Sequence, residues 1–205
     1  MYQKGARRVL KVNKDHEPEF LLKYKKKHSP KSWADYNKDN IRSEIKENIL
    51  VLEQEEYCPY CEKRIYDNEG HIEHVKPRDS YPEDFQNYNN LMVSCDEKNS
   101  CGKFKGNKYN DNFINPIVDN PEEYFDYNIA SGEIIPKNND ENSKEYKRAI
   151  YTIETLNLNS YELRTARINL VNMLSDYTGE NKDCIQCFLD DRHNFPSLIK
   201  LFMEV

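Results

Sequence analysis

The sequence predicts an α+β protein, mostly helical, with a short strand-bearing core set between helical segments. Three observations predict it. Apolar residues recur at helical spacing in the first quarter of the chain and again in its last third. Between them that period is lost, and short apolar runs alternate with turn-forming clusters. Two cysteine pairs, Cys58 with Cys61 and Cys95 with Cys101, bracket most of this middle stretch. The expected organisation is a basic arm with helices over 1–55, a core over 56–116 and a mainly helical region over 117–205.

In chain order, Lys14 to Lys27 reads as a short helix, with Pro18 near its first turn and Ser29-Pro30 stopping it. From Asp39 to Glu53 the residues Ile41, Ile45, Ile49 and Leu52 form one helical stripe, and Asp39 or Asn40 stands where a cap belongs. Tyr57 to Pro77 reads as a cysteine knuckle, a strand over Lys63 to Tyr66, a turn at Asp67-Asn68-Glu69-Gly70 and a second strand, His71 to Val75. A polar loop leads to Asn90 and the run Leu91-Met92-Val93. Cys101 to Lys105 is expected to be helical, and Asn115-Pro116 marks a boundary. Tyr127 to Ile135 suits a hairpin turning at Ser131-Gly132 and stopped by Pro136. Ser143 precedes a helix carrying Tyr146, Ile150 and Ile153. Asn159 with Glu162 resembles a capping box opening a second helix with Leu163, Ala166, Leu170 and Leu174. Phe195 to Met203 closes the chain with an apolar segment.

Composition narrows the class. The chain has 205 residues, a net charge of -6 and fifteen tyrosines, which raise the aromatic share without building long apolar runs. No stretch suits a membrane span or a signal peptide, so cytoplasmic residence without membrane attachment is the expectation. The charge argues against a protein that coats nucleic acid non-specifically, but a local basic surface is compatible with it. From Met1 to Lys31 there are ten Lys or Arg against three Asp or Glu, densest at Lys25-Lys26-Lys27. That arm suits a phosphate-facing role and equally a solvated helix face.

Six cysteines in a cytosolic chain point to metal or chemistry more than to disulfides. Cys58-Pro59-Tyr60-Cys61 is a C-x-x-C, and Cys95 with Cys101 supplies a second, more widely spaced pair. Four soft ligands from two separated turns make a tetrahedral zinc site, which contributes folding energy directly. The alternative is that Cys95 and Cys101 are unrelated buried thiols. Cys184 and Cys187 are a third pair in a helical region and are assigned no site. A thiol oxidoreductase is excluded because the first C-x-x-C follows a helix, whereas that motif opens a helix after a strand.

Between the cysteine pairs lies His71-Ile72-Glu73-His74-Val75-Lys76-Pro77. Strand alternation puts His71 and Glu73 on one face and His74 on the other. A carboxylate suits a magnesium or manganese ion, and a neutral imidazole can take a proton from water.

The order of C-x-x-C, Glu-His before a proline, Asn-Leu, two further cysteines and Lys-Gly resembles the HNH endonucleases, and more closely the HNH family that accompanies retron and Septu-type anti-phage systems. The likeness extends over nearly the whole chain. It includes Leu52-Glu53-Gln54 before the knuckle, Cys101-Gly102-Lys103-Phe104-Lys105-Gly106, Asn115-Pro116, and Leu156-Asn157-Leu158-Asn159 ahead of a helix bearing Leu163, Arg164 and Arg167. The resemblance implies a ββα-metal core, a hairpin and helix gripping one catalytic ion, pinned by zinc. It implies His74 as the general base, Glu73 as a ligand of the catalytic ion, Asn90 as the residue that orients the base or braces the loop, and Lys105 as a lysine approaching phosphate. His71 is left as support. One position departs: the family commonly has Asn, His or Asp after the last cysteine as a ligand from the helix, and here it is Gly102. Asn99 or Asn107 supplies the ligand, or water does, or the activity is weakened.

The resemblance further implies phosphodiester hydrolysis with magnesium or manganese, DNA as the default substrate ahead of RNA, and an AAA- or ABC-type ATPase partner in a defence system. The alternative is a zinc-stabilised module with weak catalysis that binds nucleic acid or the ATPase.

Overall fold

The computed structural model describes residues 11–66, 69–177 and 182–204. Helix α1 spans Glu19–His28, begins directly after Pro18 and ends where Ser29 turns left-handed at φ 44°. Proline suits a helix start because it has no N–H to leave unsatisfied. Helix α2 spans Ile41–Glu47 and runs on as a wider π-helical turn over Asn48–Glu53. Asn40 precedes α2 in a left-handed conformation (φ 57°), but its side chain makes no cap hydrogen bond. The π turn corrects the expected stripe. Ile41, Ile45 and Ile49 are buried, but the i→i+5 winding rotates the residues after them, so Leu50 and Glu53 turn inward and Leu52 is 73% exposed. Buried Glu53 is met by Lys14 Nζ at 2.6 Å and by the Tyr88 hydroxyl at 2.7 Å.

The knuckle comes next, and the strand expected over Lys63 to Tyr66 does not form. Only an isolated bridge joins Tyr57 to Arg64. Around that bridge Cys58 N donates to Lys63 O and Ile65 N to Glu56 O, while Asn194 Oδ1 takes the Arg64 N–H, so the pairing does not extend into a strand. Of the expected turn after it, Asp67 and Asn68 lie outside the described residues. Strand β1 (His71–His74) pairs antiparallel with β2 (Leu91–Ser94), with Glu73 opposite Met92 and His71 opposite Ser94. The outer edge of β2 is covered by Gln54, whose amide accepts from Val93 N at 2.7 Å and donates to Val93 O at 2.8 Å. That two-point contact fixes the end of α2 against the hairpin. Helix α3 (Cys101–Lys105) begins where the sequence places it.

A second hairpin pairs β3 (Phe125–Asn128) with β4 (Glu133–Pro136). Gly132 turns it at φ 69°, and a Cβ there would stand 2.5 Å from Arg164 O, so only glycine fits. Helix α4 (Lys144–Leu156) starts at Ser143, whose hydroxyl accepts from Tyr146 N. Helix α5 (Tyr161–Ser175) is capped by Ser160 and not by Asn159. Asn159 instead grips the backbone of Ile134 with both ends of its amide, at 2.8 and 2.9 Å. Helices α6 (Lys182–Asp190) and α7 (Pro196–Glu204) complete the chain. One apolar cluster runs from Leu21 through the first hairpin and the cysteines to Ile199. Among the described residues no helix is long and apolar enough to cross a membrane.

Candidate active site

Cys58, Cys61, Cys95 and Cys101 are all buried, and their sulfurs lie within 4.8 Å of one another. Cys61 and Cys95 Sγ are 3.8 Å apart. A tetrahedron with metal–sulfur bonds of about 2.3 Å has edges of about 3.8 Å, so this is the spacing of a zinc-type site. Burial opposes ionisation of Cys58, but hydrogen bonds from Cys101, Cys61 and Cys95 outweigh it and hold that thiol well below its ordinary value. The four thiols can hold a metal ion such as zinc. All six cysteines are free of disulfides, and Cys184 and Cys187 are exposed, away from this group.

The cysteine group also aims α3. Cys101 opens the helix at φ 57°, and the next N–H, that of Gly102, donates to Ser94 Oγ at 3.1 Å. Ser94 ends β2, opposite His71, so the helix start is bonded to the strand pair beside the candidate residues.

Glu73 is 8% exposed and points at this helix. Its Oε1 accepts from Lys105 Nζ at 2.8 Å, and its Oε2 is 3.6 Å from His71 Nε2. Burial opposes its ionisation, but His71 and Lys105 together hold its pKa below the ordinary carboxyl value. Lys105 does not face outward: it is 1% exposed, and its ammonium also reaches His74 O at 3.3 Å. His71 shares the Glu73 face, as alternation requires, and its Nδ1 is 3.1 Å from Asp96 Oδ1. Tyr60, inside the knuckle, is buried close enough to feel the Glu73 charge, yet its hydroxyl has no hydrogen-bond partner among the described residues.

His74 faces the other way and is 6% exposed. Its ring stands edge-on to Trp33 at 4.6 Å between centroids, and Nε2 is 2.9 Å from Phe85 O. A carbonyl only accepts, so Nε2 carries the proton, and Nδ1 is left with its lone pair and no hydrogen-bond partner among the described residues. Burial, reinforced by Arg78, lowers the pKa to about 4, so the ring is neutral at physiological pH.

Asn90 makes no hydrogen bond to His74 among the described residues. Its amide accepts from Lys76 N at 2.8 Å and donates to Lys76 O and Asp84 O, bracing the loop between the strands. Phe85, which holds His74, lies in that loop. Lys25 adds a hydrogen bond from α1 to Gln86 O at 2.7 Å, so the first residue of the lysine run points inward, while Lys26 and Lys27 are exposed. Residues 1–10 of the basic arm lie outside the described residues.

The position of Gly102 explains the missing side chain. A Cβ there would stand 2.9 Å from both Glu73 Oε2 and His71 Nε2, and 3.0 Å from Ser94 Oγ. The two alternatives from the flanking loops are engaged by other carboxylates. Asn99 donates to Glu162 Oε1 at 3.1 Å, and Asn107 to Asp79 Oδ2 at 2.5 Å. The sequence singles out Glu73, His74, Asn90 and Lys105. It undervalues His71, and it offers no signal for Trp33, Tyr60, Phe85, Ser94 or Asp96, which arrive from separate segments.

No family model matches the chain. It is 31% identical over 139 residues to a Vibrio cholerae (serotype O1 biovar El Tor) protein named "Retron Vc95 putative HNH endonuclease", over 65% of this chain and 66% of that protein. It is 35% identical over 72 residues to "Septu protein PtuB" of Bacillus thuringiensis, over 33% of this chain and 27% of that protein. These similarities make the chain a relative of the retron- and Septu-type HNH proteins, the resemblance that its order of motifs predicts.

Proposed function

We propose that this chain is a metal-dependent endonuclease of the ββα-metal type, hydrolysing phosphodiester bonds, with DNA as its substrate class. In this reading it is the nuclease effector of a retron- or Septu-type anti-phage system, works with an ATPase partner and resides in the cytoplasm. The observation that carries it is the pair Glu73-His74 on β1: an ionised carboxylate aimed at α3 beside a neutral imidazole whose tautomer is fixed.

The residues divide the work. His74 takes the proton of the attacking water at Nδ1, because Phe85 O holds the other nitrogen protonated. Asn90 is a positioning residue that keeps the Phe85 loop in place. Glu73 would hold a catalytic magnesium or manganese ion, and Lys105 keeps that carboxylate ionised and oriented from behind. The ion, when bound, polarises a phosphoryl oxygen and stabilises the leaving oxygen. The residues fit such an ion. Glu73 Oε2 faces a space with no side chain from Gly102, beside an unpartnered buried Tyr60 hydroxyl. Zinc at the four cysteines is scaffold, held away from the water.

The depth of Glu73 and His74 favours a second reading, in which the chain is a zinc-stabilised module that binds nucleic acid or the ATPase with little catalysis. Supercoiled plasmid incubated with the zinc-loaded protein and manganese, with and without the ATPase, separates them. Nicking that requires the divalent ion supports the nuclease. Plasmid retarded in a gel but left intact under every condition supports the binding module.

A further inference from the structure

We infer that His71 takes the place of the helix ligand absent at Gly102, so that His71 Nε2 and Glu73 Oε2 together form the protein half of a divalent-cation site. The inference rests on reading Glu73 as an ion ligand, and it is independent of whether the chain cuts nucleic acid.

Three observations converge on it. The first is the tautomer. Asp96 is fixed beside the His71 ring by Gly70 N, which donates to its Oδ2 at 2.7 Å. Its Oδ1 is 3.1 Å from His71 Nδ1, so Nδ1 is the donor in that contact and Nε2 is the nitrogen turned toward Glu73. A carboxylate behind the far nitrogen is how metal-bound histidines are commonly oriented.

The second is the facing pair. Nε2 stands 3.6 Å from Glu73 Oε2. Both atoms are donors to a divalent cation, and both border the space left by the missing side chain of Gly102. One ion bonded to each at about 2.1 Å spans such a gap.

The third is Gly102 itself. A Cβ would sit 2.9 Å from both donor atoms, so any side chain at this position would displace Glu73 or His71 from where they stand. With glycine at the helix position, His71 keeps its place beside Glu73 and is the donor within reach. The unpartnered hydroxyl of Tyr60 is a further polar group on the Glu73 side of the site. A nitrogen donor shifts preference from magnesium and calcium toward manganese, cobalt and zinc.

The test is manganese binding to the full chain with zinc already at the four cysteines, read by loss of the free-ion electron paramagnetic resonance signal. Wild type is expected to bind one manganese per chain, and His71→Ala to weaken it at least tenfold with one zinc retained. Gly102→Ala should weaken it similarly by crowding both donors, and Asp96→Asn by about tenfold, through His71. If His71→Ala does not fold, the wild-type protein decides: manganese should selectively broaden the side-chain nitrogen resonances of His71 and leave those of exposed His16 sharp. Equal manganese affinity in wild type and His71→Ala, or no manganese bound by wild type, or no broadening at His71, overturns the inference. Binding without plasmid nicking would sink the nuclease reading and leave this site standing.

Discussion

Glu73 and Lys105 form an ion pair whose ammonium is wholly buried. Such a pair adds little net stability, but breaking it strands a charge in the interior. Lys105→Met should therefore cost about 3–5 kcal/mol of unfolding free energy in a denaturant titration. A cost below about 1 kcal/mol would mean that Lys105 is not what keeps Glu73 in place. His74 gives a pH dependence with a definite sign. Its folded pKa, about 4, lies below the ordinary histidine value, so protons bind the unfolded chain more readily. Stability from this residue is full above about pH 6.5, falls as pH drops and levels off below about pH 4, a loss on the order of 3 kcal/mol. Thermal melts at stepped pH should show that fall to be smaller in His74→Gln than in wild type. An identical slope would place the titration elsewhere. At this scale the sequence singled out Glu73, His74 and Asn90 by a set order of residue types. It was silent where a partner is defined only by folding: Trp33 against His74, Phe85 O on Nε2 and Asp96 behind His71 come from three different segments.

Among the elements, the helices were legible because their apolar stripes are long enough to repeat, and α3 because cysteine spacing frames it. The misreadings have local causes. The π turn at the end of α2 changes the angular step per residue, so a stripe drawn at ordinary helical spacing ends on exposed Leu52 instead of buried Leu50. Leu50→Ala should cost about 2–5 kcal/mol, and Leu52→Ala less than about 0.5 kcal/mol. Similar costs for both would mean that the winding is regular. Asn159 and Ser160 are both good cap residues, and sequence does not separate them. Asn159 is used by the second hairpin, which leaves Ser160 at the helix start. The strand expected over Lys63 to Tyr66 fails because its backbone is bonded by Asn194 and Glu56, not by a neighbouring strand.

Across the whole molecule, the cysteine group joins segments more than thirty residues apart and sits within the continuous apolar cluster. It is also tied to the C-terminal region through Glu62, which burial pushes up in pKa and which accepts from the Tyr127 hydroxyl at 2.6 Å and Ser197 N at 2.7 Å. Removing the metal should thus loosen the first hairpin and the C-terminal helices together. With a chelator, or in Cys95→Ser, circular dichroism should show a lower melting temperature and loss of cooperative unfolding. An unchanged melt would show that the four thiols hold the fold without an ion. The HNH reading itself is tested most directly by the rate of manganese-dependent plasmid nicking by wild type and by His74→Ala, both confirmed folded and zinc-loaded. The account predicts a fall of about 10²–10⁴-fold on loss of the base. Equal rates in the two proteins would contradict it.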